Sequence, residues 1–307
     1  MTMAISQHWV PQFYLGGFTT SKNGVSLWVT DIKRAYAGDY QHSKDRVREV
    51  AQQDHLYSLP LEDGVFEPTR PVDGWDDSVD KFLQAIESDS GHIWKRLREN
   101  PAGIDLSPGS AARMTVATFL ASLHLRNPRM VAVAKLAEAM PSAPPLVTQQ
   151  DRDAFYDQLG AVAADLSPTL EGTRDRRGFL NAQRSMLDDV RDTLLSLHWT
   201  VQLYPGNSAA GPLLTSDTPL FCVEQETMEP TTMASPRCMV FCPLTSRALL
   251  IATRAKTPTP NGAMVTSSAT SAAAINPFIV HYGVQEAYSG FQLTNDFPFL
   301  RDVSGAG

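Results

Sequence analysis

The sequence predicts an α+β fold in which a central cluster of helices packs on a mainly antiparallel sheet that is mostly C-terminal and also takes an N-terminal strand. Three observations predict this fold. Apolar residues recur at helical spacing over about 76–198, runs with a period near two follow over 199–300, and another such run lies within 1–60. The length allows one large domain or two modest ones. Residues 1–307 are expected to form a single domain, with a helical part at about 76–198 and a strand-rich part at 1–60 and 199–300.

The N-terminal quarter of the chain carries one predicted strand. It covers residues 25–29 and follows a turn-like stretch at 21–24. Residues 30–75 contain scattered proline, glycine and charge, so they are expected to be irregular apart from one compact element at 54–58.

Two helices are predicted next. Apolar side chains recur every three or four residues over 78–99, which is typical of a helix with one buried face. Ser107 and Pro108 are expected to supply the N-cap and the first-turn proline of the second helix. That helix is expected to end at the Asn127-Pro128 pair.

A proline-rich linker at 141–145 leads to a predicted helix near 151–166 and to a longer helix at about 178–198. After Trp199 the apolar period shortens toward two, and proline and glycine separate the runs. The strands predicted there are residues 199–204, 213–215, 220–223, 239–241, 249–253 and 278–282.

Composition narrows the class of protein. The 307 residues are 43% hydrophobic and 19% charged, which is typical of a globular protein and argues against disorder. No apolar run is long enough to cross a bilayer, and the N-terminus lacks the pattern of a signal peptide. Three cysteines do not make a disulfide framework. We therefore expect a soluble, cytoplasmic protein without a membrane partner.

The formal net charge of −7 gives the chain no general attraction for phosphate backbones. Two short basic stretches remain, at 95–98 and 174–177. They are either solvated helix and loop faces or local contacts for an anionic partner. A segregated basic face would favour a nucleic-acid partner, whereas its absence would favour a protein without one.

The most specific stretch of the sequence lies at residues 8–15, where an imidazole, a side-chain amide and three aromatic rings surround a proline. His8 is a candidate general base because an imidazole titrates near neutral pH, and Gln12 is a candidate for orienting a substrate carbonyl or amide. The alternative is that both side chains satisfy buried backbone groups where the N-terminus docks on the core.

A second polar cluster, Thr215-Ser216-Asp217-Thr218-Pro219, lies between two apolar runs. A carboxylate at the end of a strand, such as Asp217, is suited to position a cation, act as a base or bind a metal. Asp217 is equally suited to a turn in which its side chain bonds its own backbone. Both interpretations stay open from the sequence.

Charged residues of the helical part are further candidates. Asp80 and Glu87 are seven residues apart, which places both carboxylates on one side of a helix, where they are either an exposed flank or a pair that grips a guanidinium. Arg126 and Arg129 flank a helix end. There they either stabilise the negative helix terminus or bind a phosphate or carboxylate.

Cofactor and metal chemistry lack a supporting motif. Cys238 and Cys242 lie on the same side of a predicted strand, but no second pair of Cys or His accompanies them, so they and Cys222 are expected to be buried small hydrophobes. The glycines form neither a dinucleotide-binding fingerprint nor a phosphate loop, and the nucleophile elbow of hydrolases is missing. No cofactor and no metal is expected.

A series of short motifs is distributed over nearly the whole chain. It consists of His8-x-x-Pro11-Gln12-Phe13-Tyr14-Leu15 with Phe18, Leu27-Trp28-Val29, Leu56-Tyr57-Ser58, the helix with Glu87, Arg126-Asn127-Pro128, Trp199, Ser216-Asp217-Thr218-Pro219, Pro243-Leu244-Thr245 and Asn276. In these motifs the chain resembles the bacterial and fungal family called domain of unknown function 4238.

Some fungal members of that family look like arginine-containing cyclodipeptide synthases, which take aminoacyl groups from charged tRNAs and close them into diketopiperazines. The resemblance implies a tRNA-dependent aminoacyl transferase, with aminoacyl-tRNA, including arginyl-tRNA, as its partner and an aminoacyl group as its substrate. The residues assigned to catalysis are His8, Gln12, Asp217 and Ser216, the last as an acyl acceptor. Those assigned to substrate binding are Tyr14, Asp80, Glu87, Arg126, Arg129 and Asn276. The assignment assumes that His8 and Asp217 meet in one cleft.

Two alternatives belong to other functional classes. The first is a nuclease or toxin-like effector that acts on RNA, with His8 as base and Arg126 or Arg129 on the phosphate. The second is a non-catalytic binding protein in which the polar clusters only stabilise the fold.

Overall fold

The computed structural model describes residues 6–19, 25–36, 39, 42–54, 56–57, 59–60, 75–76, 78–127, 130, 173–204, 213–255, 257–267, 269–283, 285–290 and 293. The linker expected at 141–145 and the helix expected near 151–166 lie outside these residues.

The prediction of an α+β fold is confirmed. The helices of the described residues are α1 (Gln12–Leu15), α2 (Ile32–Tyr36), α3 (Ser78–Glu99), α4 (Ala111–Leu125), α5 (Thr173–Ser196) and α6 (Ala269–Tyr282). None of them combines the length and the apolar character that crossing a bilayer requires. The strands are β1 (Ser6–His8), β2 (Ser26–Asp31), β3 (His42–Arg46), β4 (Gln52–Asp54), β5 (Leu59–Pro60), β6 (Trp75–Asp76), β7 (His198–Leu203), β8 (Thr215–Ser216), β9 (Phe221–Glu224), β10 (Cys238–Thr245), β11 (Ala248–Thr253), β12 (Ala263–Thr266) and β13 (Glu286–Ser289).

The strands divide between two main sheets. A five-stranded sheet has the order β12-β7-β11-β10-β9 and is antiparallel except for the β12–β7 pair. A four-stranded antiparallel sheet has the order β3-β2-β13-β8, so the predicted N-terminal strand pairs with a C-terminal one. Two-stranded sheets join β1 to β4 and β5 to β6.

The helix α3 has the predicted bounds of residues 78–99. Its buried positions follow the helical period and include Trp94, whose indole nitrogen donates to the Leu244 carbonyl at 3.1 Å. This bond fixes the helix to β10, since Leu244 lies in that strand.

The expected start of α4 is wrong by three residues. Gly109 has a φ of +83°, in the left-handed region, so a helix cannot run through it from Ser107. The helix begins after Ser110 instead, whose hydroxyl accepts a hydrogen bond from the Arg113 amide at 3.2 Å.

The strand expected at 278–282 is also wrong, because these residues end the helix α6. Ala272, Ile275, Ile279 and Tyr282 are buried at steps of four and three, which is the pattern of one helix face. In addition, residues 30–75 are more regular than expected, since they contain α2, β3 and β4.

The N-terminal segment is held between the two main sheets. The hydroxyl of Tyr14 donates to the Pro243 carbonyl of β10 at 2.6 Å and lies 2.9 Å from the Thr215 hydroxyl of β8. Both Tyr14 and Phe18 are fully buried. The Ser246 amide donates to the Gly17 carbonyl at 3.0 Å, which ties the segment to the turn after β10.

Burial of His124 in α4 makes stability depend on pH. Its Nδ1 is inaccessible and has no hydrogen-bond partner among the described residues, and burial lowers the pKa of His124 to about 4. Because the unfolded chain binds this proton near pH 6.5 and the folded chain does not, the contribution is complete above pH 6.5. It falls by about 3 kcal/mol as the pH drops toward 4.

The measurement is the free energy of unfolding in denaturant at several pH values for wild type and His124→Gln. The loss between pH 6.5 and 4 should be about 3 kcal/mol smaller in the variant, whereas His92→Gln, an exposed change on α3, should leave it unchanged. If the variant does not fold, an NMR titration of the wild-type imidazole decides. A His124 signal that titrates near pH 6.5 would contradict the prediction.

Candidate functional site

A cleft of about 310 Å³ opens between the N-terminal segment, the Tyr57 turn, α3 and the end of α4. We call it the His8 cleft. Among the residues that line it are five candidates from the sequence: His8, Gln12, Asp80, Glu87 and Arg126.

Backbone pairing fixes the N-terminal side of the His8 cleft. The strand β1 pairs with β4, with His8 opposite Gln52, and the Trp9 amide donates to the Ala51 carbonyl at 3.0 Å. Next to this pair, the side-chain oxygen of Gln7 accepts a hydrogen bond from the Tyr57 amide. These bonds fix the position of His8 at the edge of the cleft.

The hydrogen bonds of His8 determine its tautomer. Its Nε2 lies 3.2 Å from the Arg48 carbonyl, which can only accept, so Nε2 carries the proton and donates. The other ring nitrogen, Nδ1, is then the lone-pair nitrogen, and it has no hydrogen-bond partner among the described residues. Burial lowers the pKa of His8 below 6.5, although the bond to Arg48 and the charge of Glu87 act in the opposite direction. The imidazole is therefore neutral at neutral pH and can accept a proton at Nδ1.

Gln12 is an exposed residue of α1 on the same cleft. Its amide nitrogen lies 3.5 Å from His8 Nε2. Because that ring nitrogen already donates to Arg48, the amide of Gln12 cannot donate to it. The amide group is therefore available to a bound molecule.

One face of α3 supplies the acidic side of the cleft. Asp80, Gln84 and Glu87 follow at steps of four and three residues, which aligns them along the helix. The Gln84 amide donates to the Asp80 carboxylate at 2.7 Å, one helical turn away. This bond orients the first carboxylate of the stripe.

The second carboxylate, Glu87, is held by Arg126 at the end of α4. Arg126 Nη1 donates to Glu87 Oε1 at 2.6 Å, and the two side chains are 1% and 28% exposed. The remaining nitrogens of the guanidinium, Nε and Nη2, are inaccessible and have no hydrogen-bond partner among the described residues. Arg126 therefore acts on the cleft through Glu87 rather than by direct contact of its other nitrogens with a ligand.

The phenol of Tyr57 completes this corner of the cleft. Its hydroxyl donates to the His8 carbonyl at 3.4 Å. Burial raises the pKa of Tyr57, and the charge of Arg126 lowers it by less. The phenol is therefore a neutral hydrogen-bonding group and not a base.

The charges that line the His8 cleft do not cancel. Asp80 and Glu87 carry two negative charges against the single positive charge of Arg126, while His8 is neutral. A cleft of this sign favours a cationic group such as an ammonium or a guanidinium.

The second polar cluster of the sequence lies elsewhere, in the core. Asp217 is fully buried, and its carboxylate accepts a hydrogen bond from the Gln285 amide at 2.8 Å. Ser216 is also fully buried, and its hydroxyl accepts a bond from the Thr218 amide at 3.2 Å. Neither residue lines the His8 cleft, so the structure does not bring His8 and Asp217 together.

Two further candidates have structural partners, and one lies outside the described residues. Tyr14 is buried between the two main sheets, as described above. Asn276 is fully buried in α6, where its side-chain oxygen accepts a hydrogen bond from the Leu214 amide at 3.2 Å. The residue outside the described part of the chain is Arg129.

Sequence reasoning missed a second cleft. It measures about 450 Å³, and Arg46, Arg48 and Arg98 line it. We call it the arginine cleft. Arg98 belongs to the basic stretch at 95–98, whereas Arg46 and Arg48 reach the cleft because β3 pairs with β2, a tertiary feature without a local signal.

The three cysteines, Cys222, Cys238 and Cys242, are reduced and buried, as their sequence context predicts. Within the described ranges, no group of three or more His, Cys, Asp or Glu side chains is placed to hold a metal ion.

The comparisons with known proteins identify a family. The sequence model of the family described as protein of unknown function (DUF4238) matches residues 6–289, which include both clefts. No curated protein and no solved structure matches the chain.

Removing Glu87 is expected to destabilise the fold strongly. Glu87→Ala leaves the buried guanidinium of Arg126 without its carboxylate, which costs about 3–5 kcal/mol of unfolding free energy. Denaturant unfolding measures this loss. Glu226→Ala is the matched control, since it removes a carboxylate from an exposed pair with Arg237 and should cost less than about 1 kcal/mol.

The double variant Glu87→Ala/Arg126→Met should recover part of that loss, because no buried charge remains. Equal costs for Glu87→Ala and Glu226→Ala would contradict the role of the pair. Should Glu87→Ala fail to fold, Glu87→Gln, which keeps an acceptor for Nη1, provides an intermediate measurement.

Proposed function

The chain belongs to the DUF4238 family of proteins of unknown function, and we propose that its His8 cleft is the active site of an aminoacyl transferase that forms cyclic dipeptides from aminoacyl-tRNA. The observation that carries the proposal is the unpartnered Nδ1 of a neutral His8 in the same cleft as an acidic stripe. This combination provides a base beside a site for a cation.

The reaction needs a base because an α-ammonium group is not a nucleophile. His8 Nδ1 takes a proton from the α-amine of one aminoacyl ester while that nitrogen attacks the carbonyl carbon of the second. A C–N bond forms, the ester C–O bond breaks, and the proton passes from His8 to the departing 3′-oxygen of the tRNA. A second aminolysis within the resulting dipeptidyl ester closes the ring and releases the other tRNA.

The other residues of the cleft have positioning roles in this scheme. Gln12 donates its amide to a substrate carbonyl. The carboxylates of Asp80 and Glu87 attract a cationic side chain, for which the guanidinium of an arginyl group is the best-matched candidate. Arg126 holds Glu87 in place.

The transfer is proposed to be direct, without an acyl-enzyme. Ser216 is fully buried and outside the cleft, so it is not placed to accept an acyl group there. Of the described residues that line the cleft, none is a serine, threonine or cysteine. An acyl-enzyme on a serine, threonine or cysteine would therefore lack its nucleophile.

The test incubates the purified protein with a pool of aminoacylated tRNAs and follows cyclic dipeptides by mass spectrometry. Wild type should produce at least one cyclic dipeptide, and His8→Asn should produce it about 10²–10⁴-fold more slowly, the usual contribution of a general base. His92→Asn, on the exposed face of α3, serves as the matched control and should keep the wild-type rate.

Each other outcome overturns the proposal. Shortened RNA that depends on His8 would make the protein a nuclease. Intact RNA and no cyclic dipeptide from a folded wild type would make it a binding protein.

The transfer rate should also depend on pH through His8. Because burial lowers the pKa of His8 below 6.5, kcat/KM should acquire an acidic limb whose midpoint lies below pH 6.5. That limb should be absent from the residual rate of His8→Asn, whereas a limb near pH 8, which belongs to the substrate α-amine, should be common to both. An enzyme-dependent midpoint above pH 6.5 would contradict the assignment of His8 as a half-buried, neutral base.

A further inference from the structure

The arginine cleft concentrates positive charge on an acidic chain. Arg46, Arg48 and Arg98 are exposed side chains around one cavity of about 450 Å³, in a protein whose net charge is −7. No Asp or Glu lies among the described residues that line it. Three guanidinium groups of one sign on one cavity repel each other, so a partner of opposite charge would relieve that repulsion.

The three arginines also form few ion pairs with the described residues of the protein itself. Among the described residues, Arg46 and Arg98 have no ion-pair partner, and Arg48 pairs only with its sequence neighbour Glu49. That pair has a distance of 3.4 Å between side chains that are 62% and 49% exposed, and such a pair contributes little to stability. Within the described part of the chain, all three guanidinium groups therefore keep donors for a ligand.

The arginine cleft adjoins the His8 cleft. Gln12 and Phe13 line both cavities, so a ligand in one cavity lies directly beside the other. The backbone connects them as well, because the Arg48 carbonyl accepts the hydrogen bond from His8 Nε2 while the Arg48 side chain lines the arginine cleft.

We infer that the arginine cleft binds phosphodiester groups of the RNA 3′ end whose terminal ester reacts in the His8 cleft. Guanidinium groups pair with phosphate through two parallel hydrogen bonds, which is why arginine suits this ligand. The assignment to phosphate comes from the three arginines, and the assignment to an RNA end rests on the proposed function.

The test measures binding without turnover. The probe is a fluorescent RNA hairpin with an uncharged single-stranded ACCA 3′ end, titrated with protein at several salt concentrations. If three phosphates are neutralised, the logarithm of the binding constant should fall with the logarithm of the salt concentration with a slope of about −2. The triple variant Arg46→Gln/Arg48→Gln/Arg98→Gln should reduce that slope to near zero and abolish saturable binding, and each single variant should reduce it by about 0.7.

The matched control is Arg237→Gln, which removes one exposed arginine that lines neither cleft and should leave the slope unchanged. Wild-type binding by a folded triple variant would overturn the inference. Equal binding of a blunt hairpin, or competition by pyrophosphate as strong as by the ACCA end, would overturn its assignment to an RNA end.

The two proposals fail in different ways. If the triple variant no longer binds the hairpin and wild type makes no cyclic dipeptide, the result supports the phosphate site and contradicts the proposed function. If the triple variant makes cyclic dipeptides at the wild-type rate, the result contradicts the phosphate site and supports the proposed function.

Discussion

The hydroxyl of Tyr14 makes two hydrogen bonds in a fully buried position, one to a strand of each main sheet. Neither sheet can lose this contact without leaving a buried carbonyl or hydroxyl unpaired, which is costly in a dry core. The same helical turn carries Gln12 on its exposed side and follows His8 by a few residues. The buried Tyr14 thus anchors the segment in the core, and Gln12 on its exposed side lines the cleft.

Among the described residues, two arginines are buried, and they differ in how completely their guanidinium groups are hydrogen-bonded. Arg113 stacks 4.3 Å over the Trp199 ring, and its Nη1 and Nη2 each donate to two acceptors, among them the Leu197 carbonyl at 2.7 Å. Arg126 is equally buried but leaves Nε and Nη2 without a hydrogen bond among the described residues. Its Nη1 donates to Glu87, at the edge of the cleft. An arginine that served stability alone would be expected to resemble Arg113, so the incomplete bonding of Arg126 points to a role in holding the Glu87 carboxylate.

Local periodicity predicts much of this fold. The apolar residues of α3 recur at helical spacing, and those of most C-terminal strands recur with a period near two. The strand expected at 278–282 failed because the β-branched and aromatic residues there face the core at helical steps, and tertiary packing outweighed their propensity. In the site, the seven-residue spacing of Asp80 and Glu87 was enough to place them together. The burial of Asp217 and the convergence of Arg46 with Arg98 depend on strand pairing and on the docking of distant segments. No local pattern in a single sequence predicts either of them.

The distribution of charge over the two clefts favours the proposed acyl transfer over RNA cleavage. A nuclease needs its base next to the phosphodiester that breaks, yet His8 shares its cleft with the carboxylates of Asp80 and Glu87, which repel a phosphate. The arginines that would attract one line the neighbouring cavity, on the other side of Gln12 and Phe13. A substrate with a cationic group at its reacting end and phosphates behind it matches both cavities at once, and an aminoacyl ester of RNA has that order. Since the Arg48 backbone holds His8 while its side chain lines the arginine cleft, a ligand bound in that cleft would also restrain the proposed base.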